Sequence, residues 1–516
     1  MNYLFQQPLT MSEAEFNRSC LKFEDYPRNL IYRPSSDTTL KSFADRLRDA
    51  SPELLCEEDK ALVPYCDLRS DLTCFDKGQI LDDAKLQQRL GLQTGAALSM
   101  TGTFFSKPDP RCRFVFITAN SDSRSTLKIT RKMLNRLLTY HQVMPNFLDF
   151  LSVFGVQEKP RDIRFSSFRG QDLTSKFSRA LAIWSLGRSG KHYQMCYNLK
   201  SVNLIQPGTW SIRQAAIHHQ FDSKSGNSLW IFAQGHWDIK DRISVMLGSK
   251  KRPEDCDFSS VANCLRSSLA VHLLMCEWSM ENWRQYLQHL EDNVEKETDS
   301  ALYEPKKLFD LLQVQRSEEK ANNVIMMLEA NTEVLQSLEA FYKRLDKNED
   351  FSTVEEVKFD LASFQARLHD MISDSKLQIT RARLLVQITS NRKALVQQHL
   401  RTRATDRMEK LSVSMYNFTT MAQRDTTAMY VIAFITLIYL PATFVSTFFS
   451  TDVIKYQGQV EGSGVFSNTA MARWIQVTLP LTALTGLLMG TGIWIADRKR
   501  RKEMQKLKDE DITTSV

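Results

Sequence analysis

Cysteine pairing is the first thing this sequence lacks. Its nine cysteines (Cys20, Cys56, Cys66, Cys74, Cys112, Cys196, Cys256, Cys264 and Cys276) are odd in number, and none forms a C-x-x-C pair. The pattern excludes a disulfide frame or a cysteine-built zinc site and implies free thiols in a reducing compartment. A leader is lacking too. MNYLFQQPLTMSEAEF has neither a basic n-region nor an apolar h-region, so no cleaved signal peptide is expected. The net charge of +7 is small for 516 residues. Much of the excess flanks two apolar stretches, which argues against nucleic acid as a partner. GRSGK (187–191) is not a phosphate loop, because Gly187 and Gly190 stand only three apart and His192 follows the lysine. It reads as a tight turn. No serine, cysteine or carboxylate constellation points to catalysis, so neither an enzyme nor a required cofactor is expected.

Charge is what residues 426–451 lack. TTAMYVIAFITLIYLPATFVSTFFST runs uncharged between Asp425 and Asp452. As a helix it reaches roughly 39 Å, enough to cross a hydrocarbon core about 30 Å thick. At 100° per residue, Thr443, Thr447 and Ser450 fall within about 40° of Thr436, with Asp425, Met429 and Leu440 on the same stripe. Lipid offers such polar groups no partner. Either the stripe is wet, or its hydroxyls bond back to carbonyls one turn earlier or join two helices.

A second uncharged stretch, Trp474 to Ala496, reaches roughly 34 Å as a helix. Gly486 and Gly490 offer close helix approach, and Trp474 and Trp494 stand near its ends as interface anchors. Basic residues set the orientation. RKRRK (498–502) follows the second stretch, and Arg401, Arg403, Arg407, Lys410 and Arg424 precede the first, whereas the connector 452–473 holds only Lys455 and Arg473. Both termini are therefore expected in the cytosol, with a short loop outside.

Upstream, residues 1–110 mix short apolar runs with charged and proline-containing stretches and show no readable element order. CRFVFITA (112–119) reads as a buried strand, followed by a helix through 127–143 that Ser125 could cap, with Ile129, Met133, Leu137 and Leu138 on its apolar face. MPNFLDFLSVFG reads as core. Three more strands are expected at 192–202, 209–222 and 228–235, the last two joined as a hairpin through Ser223–Asn227. His218 and His219 resemble a metal pair, but as strand neighbours they point to opposite faces.

Glycine and proline nearly vanish beyond residue 256, and helices take over. One is expected from Val261 to about Asn293, ending in the acidic stretch 291–299, which reads as a solvated helix end and bend. A second is expected from about Pro305 to Leu345, burying Leu308, Leu311, Leu312, Val324, Met327 and Leu328. A third starts near Thr353, with Thr353 and Glu356 as a capping box, and runs about 95 residues, or roughly 140 Å, into the first apolar stretch. Leu411, Met415, Phe418 and Ala422 form an apolar row on it. A helix this long needs partner helices, most simply from identical subunits.

A large α/β region, long helices and two C-terminal spans together resemble the CorA superfamily of divalent-cation channels. Leu440-Pro441-Ala442-Thr443-Phe444 resembles the family's first-span pattern, apolar-Pro-x-Thr-Phe, and Met429 lies where the family often has a pore methionine. YHQVMPNFLDFL, GRSGKHYQMCYNLKSVN, WSIRQAAIHHQFD and IKDRI resemble the soluble part of CorA-like transporters of filamentous fungi. The resemblance implies an α/β cytosolic domain (111–255), a helical region with a long stalk helix (256–425), a two-span membrane domain (426–497) and a basic cytosolic tail (498–516).

The resemblance further implies a homopentamer in the lipid bilayer that passes divalent cations, Mg²⁺ foremost, the same ion serving as regulator. Asp425, Met429, Thr436, Leu440, Thr443, Thr447 and Ser450 would line the pore. The family's Gly-Met-Asn filter is absent. Aligned from Pro441, its positions hold Ser450, Thr451 and Asp452, so Asp452 outside and Asp425 at the cytosolic mouth become the candidate metal ligands. The alternative is a non-conducting, membrane-anchored sensor or interaction protein that has lost its filter.

Overall fold

Segments rich in β-branched and aromatic residues pair edge to edge. In the computed structural model, which describes residues 11–33, 35–72, 74–92, 107–119, 123–156, 165–175, 181–236, 238–248, 256–303, 311–348, 355–450 and 468–514, seven strands form one sheet. They are β1 (Val63–Leu68), β2 (Phe75–Ile80), β3 (Cys112–Thr118), β4 (Phe168–Asp172), β5 (His192–Gln206), β6 (Thr209–Asp222) and β7 (Ser228–Gln234). Their order is β2-β1-β3-β7-β6-β5-β4, with β3 and β7 parallel and the other neighbours antiparallel. The hairpin through 223–227 forms as expected. Gly187 and Gly190 take φ of +73° and +76° in the GRSGK turn, a conformation that costs glycine little.

The chain divides into two compact units, 1–397 and 398–516. In the first, each face of the sheet is covered by helices. α1 (Met11–Leu21), α2 (Asp37–Leu54), α3 (Asp83–Leu90), α4 (Arg131–His141) and α5 (Phe147–Leu151) close over Val115, Ile117, Cys196, Ala216 and Ile231. The opposite face packs Phe114, Tyr197, Trp230 and Phe232 against α6 (Asp238–Met246), α7 (Val261–Met280), α9 (Leu311–Asp346) and the first part of α10 (Glu355–Phe449). A third cluster, including Trp283, Leu287, Leu328 and Leu385, joins α8 (Trp283–Tyr303) to α9 and α10.

Histidines 218 and 219 point to opposite faces. His218 packs on Phe147, whereas His219 accepts or donates at 3.0 Å to His272, which also meets the Tyr197 hydroxyl at 2.7 Å. None of the nine cysteines is joined in a disulfide. Lys200 is fully buried on β5, where its Nζ donates to Phe165 O at 2.6 Å and Ser166 Oγ at 2.9 Å. Burial pushes its pKa down to about 7.

Several expectations need correction. The helix after β3 is capped by Thr130, whose Oγ1 accepts from Met133 N at 3.2 Å, and not by Ser125; Leu127 is held in bridges to Leu55 and Ala119. The helix beginning at Val261 stops at Met280. Asn282 adopts φ +64°, its Nδ2 donates to Val202 O, and Arg242 grips Glu281, so α8 starts afresh at Trp283. The acidic stretch 291–299 is no helix end but lies inside α8. Arg381 of α10 donates to Glu291 at 2.8 Å and Arg392 to Asp299 at 3.1 Å. On α9, Leu312 is exposed, and Val314 fills the buried slot beside Val324, Met327 and Leu328. Thr353 and Leu308 lie outside the described residues.

Candidate functional site

In the second unit, α10 continues uncharged from Thr426 to its end at Phe449, and α11 (Asn468–Thr514) carries the second apolar stretch. Both are long and apolar enough to cross a membrane. They meet along one side of α10. Pro441 and Val445 are buried there, Thr478 of α11 is buried too, and the Trp474 indole N–H donates to Ser446 Oγ at 2.9 Å. Pro441 lies inside α10, where it has no amide to offer the Leu437 carbonyl one turn back.

The expected stripe lies on the other side. Pro441 and Val445 each stand about 160° around the helix from Thr443. Thr436, Thr443, Thr447 and Ser450 are all exposed, as are Asp425, Met429 and Leu440. The second span therefore covers the back of the first and leaves the polar stripe bare.

Each hydroxyl on the stripe donates backwards to the helix. Thr436 Oγ1 reaches Ile432 O at 2.6 Å, Thr443 reaches Tyr439 O at 2.9 Å, Thr447 reaches Thr443 O at 2.7 Å, and Ser450 reaches Thr447 O at 2.7 Å. The back-bonding alternative is thus realised, and it has a chemical consequence. With its one proton committed to the helix, each hydroxyl presents only lone pairs outward. Such a surface can accept hydrogen bonds from water or face a cation, but it offers an anion no donor.

Thr451 and Asp452 lie outside the described residues, so of the filter-equivalent positions only Ser450 is seen. A Cβ added at Gly486 or Gly490 would meet no atom within 4 Å, so the close approach these glycines permit is not made to α10. The role of Pro441, Val445, Ser446 and Trp474 in joining the spans was not read from sequence. A sequence signal existed for Pro441 and Val445, which stand opposite the threonines, whereas Ser446 lies about 60° from Thr443 and Trp474 is on α11. Among the described residues, no group of three or more His, Cys, Asp or Glu side chains forms a metal cage within one chain.

Comparison with known proteins gives the family. The family model described as CorA-like transporters matches residues 18–302. No curated protein matches significantly. Among solved structures, the CorA magnesium transporter of Methanocaldococcus jannaschii is similar at 9% identity and TM-score 0.31, covering 83% of this chain and 97% of that one. Full-length CmaX is similar at 11% identity and TM-score 0.32, covering 84% and 98%. The cytoplasmic domain of ZntB from Vibrio parahaemolyticus is similar at 11% identity and TM-score 0.34, covering 67% and 99%. With more than half of its length matched by the family model, and with an α/β sheet domain, long helices and two apolar C-terminal helices, the chain belongs to the CorA-like transporters.

Proposed function

We propose that this protein is a homopentameric channel that passes hydrated divalent cations, Mg²⁺ first among them, through the membrane. The observation that carries the reading is the bare stripe of Thr436, Thr443 and Thr447 opposite the face taken by the second span. Back-bonding meets the one donor of each hydroxyl, and what supports a wet face is that their outward lone pairs align on one stripe with Asp425, for which identical copies around an axis supply a shared lumen. Oxygen ligands and retained waters suit Mg²⁺, which gives up its hydration reluctantly.

Met429 and Leu440 form dry constrictions along this path, and Asp425 makes a ring of carboxylates at the cytosolic mouth. Ser450, Thr451 and Asp452 stand at the outer entrance, where a ring of aspartates concentrates cations. The exposed row Leu411, Met415 and Phe418 becomes the contact between stalk helices of neighbouring subunits, and the acceptor-only hydroxyls favour cations over anions. Both termini lie in the cytosol, and the soluble domain gates the pore by binding the transported ion between subunits, which favours a closed state.

The second reading, a non-conducting CorA-like sensor, is favoured by one observation: Ser450-Thr451-Asp452 stands where the family has Gly-Met-Asn. Growth of a strain that lacks its own Mg²⁺ uptake separates the two. Rescue by this protein and failure by Thr443→Leu, with both inserted equally, supports the channel. No rescue by the correctly inserted wild type supports the sensor.

A further inference from the structure

The second span shows α10 one side and turns the other away. Trp474, Thr478, Leu481, Thr485 and Met489 of α11 are buried or half-buried and fall within about 60° of Thr478 around the helix, the side that meets α10. Leu487, Trp494, Arg498, Arg501 and Lys502 stand about 120° or more from Thr478, and all five are exposed. Because α11 lies behind the threonine stripe, this far side is the part of the membrane unit most remote from any axis the stripe surrounds.

Along that side an apolar strip ends abruptly in cations. Trp474 and Trp494 are twenty residues apart, a rise of roughly 30 Å, which sets them at the two edges of a hydrocarbon core of about that thickness. Arg498 lies roughly 6 Å beyond Trp494, within the headgroup layer. Lys502 lies roughly 12 Å beyond, on a flexible stem long enough to reach back into that layer. Residues 497–502 hold five cations and one carboxylate, a net +4.

The cations on the far side are not equivalent. Arg501 is engaged with Asp497, its Nη2 and Nε donating to Oδ2 at 2.8 and 3.1 Å. Arg498 holds its guanidinium over the Trp494 ring, 5.1 Å from the centroid. That contact positions the cation without an acceptor oxygen, so its N–H donors stay available to grip two phosphate oxygens at once. Among the described residues neither Arg498 nor Lys502 has a carboxylate partner.

We propose that this face binds an anionic phospholipid of the leaflet on its own side, an inference that rests on the two-span reading above. Acyl chains lie along Leu487 and Trp494, the phosphate meets Arg498, and Lys502 selects a headgroup that carries no cation. A choline headgroup would bring its ammonium against Lys502, whereas a glycerol headgroup brings no charge there.

The test is flotation of the full-length protein with phosphatidylcholine vesicles, then native mass spectrometry from neutral detergent during titration with phosphatidylglycerol or phosphatidylcholine. The protein floats, and the first phosphatidylglycerol binds roughly fivefold or more tightly than the first phosphatidylcholine, the effect of about one nearby cation. Arg498→Gln combined with Lys502→Gln changes two exposed side chains that make no hydrogen bond among the described residues. It therefore folds and floats equally, and its preference falls to within about twofold. Arg473→Gln, which removes a cation from the other end of α11, keeps the preference. Failure to float would overturn the two-span reading and the proposal with it. Flotation with equal affinity for the two lipids overturns the proposal alone, as does a preference that survives the double variant or vanishes in Arg473→Gln. Displacement of phosphatidylglycerol by inorganic phosphate also overturns it, because the occupant would then be a free anion.

Discussion

The Trp474 indole N–H donates to Ser446 Oγ across 2.9 Å, fastening the start of the second span to the first. The bond works with the buried contacts of Pro441 and Val445 to keep the second span off the threonine stripe. Hydrogen bonds between membrane helices are worth about 0.6 kcal/mol on average and up to about 1.7. Ser446→Ala and Trp474→Phe should each destabilise the span pair by an amount in that range. In a double-mutant cycle, read by unfolding in mixed micelles, the second change should cost almost nothing once the first is made. Fully additive losses would mean that the bond contributes nothing.

Asp67 is a buried carboxylate shared by two arginines. It holds Arg113 through both oxygens and also accepts from Arg89 at 2.8 Å. Burial works against its charge, but Arg113 and then Arg89 overcome this and hold its pKa below the ordinary 3.8. Asp67→Ala leaves Arg113, 4% exposed, without its carboxylate, and should cost about 3–5 kcal/mol, read by thermal or denaturant unfolding. Because the folded pKa is the lower one, the stabilisation is complete above about pH 4 and fades below it as the carboxylate protonates.

His218 offers a prediction of opposite character. Both of its ring nitrogens are buried without a partner among the described residues, and burial pushes its pKa from 6.5 down to about 3. The unfolded chain takes up this proton below pH 6.5 and the folded one does not, so stability drains away as pH falls from 6.5 toward 3. His218→Leu removes the drain and, with neither ring nitrogen engaged, sacrifices no hydrogen bond. Relative to wild type, it should gain about 2 kcal/mol more at pH 5 than at pH 8, by denaturant titration at both. An equal change at the two pH values would contradict this origin.

Legibility from sequence followed the strength of the local signal. β5, β6 and β7 were readable because long apolar and β-branched runs end at turn residues such as Ser223–Asn227. β1 and β2 were not, because Asp67, Asp76 and Lys77 dilute their apolar pattern, and Asp67 makes sense only once Arg113 is beside it. The break at Asn282 depends on Val202, some eighty residues away, which no local pattern announces. For the acidic run 291–299 the signal was misread, since its partners Arg381 and Arg392 lie on a distant helix. The threonine stripe could be drawn at 100° per residue, but which side the second span would take needed the buried pair Pro441 and Val445.

The central claim is that Thr436, Thr443 and Thr447 from several identical copies surround one water-filled axis. A single-particle image of the full-length protein in lipid, viewed down the membrane normal, tests it most directly. The account predicts five copies with these hydroxyls facing a central lumen and ion density on its axis. Threonines turned into lipid or into a dry helix seam, around no opening, would contradict it.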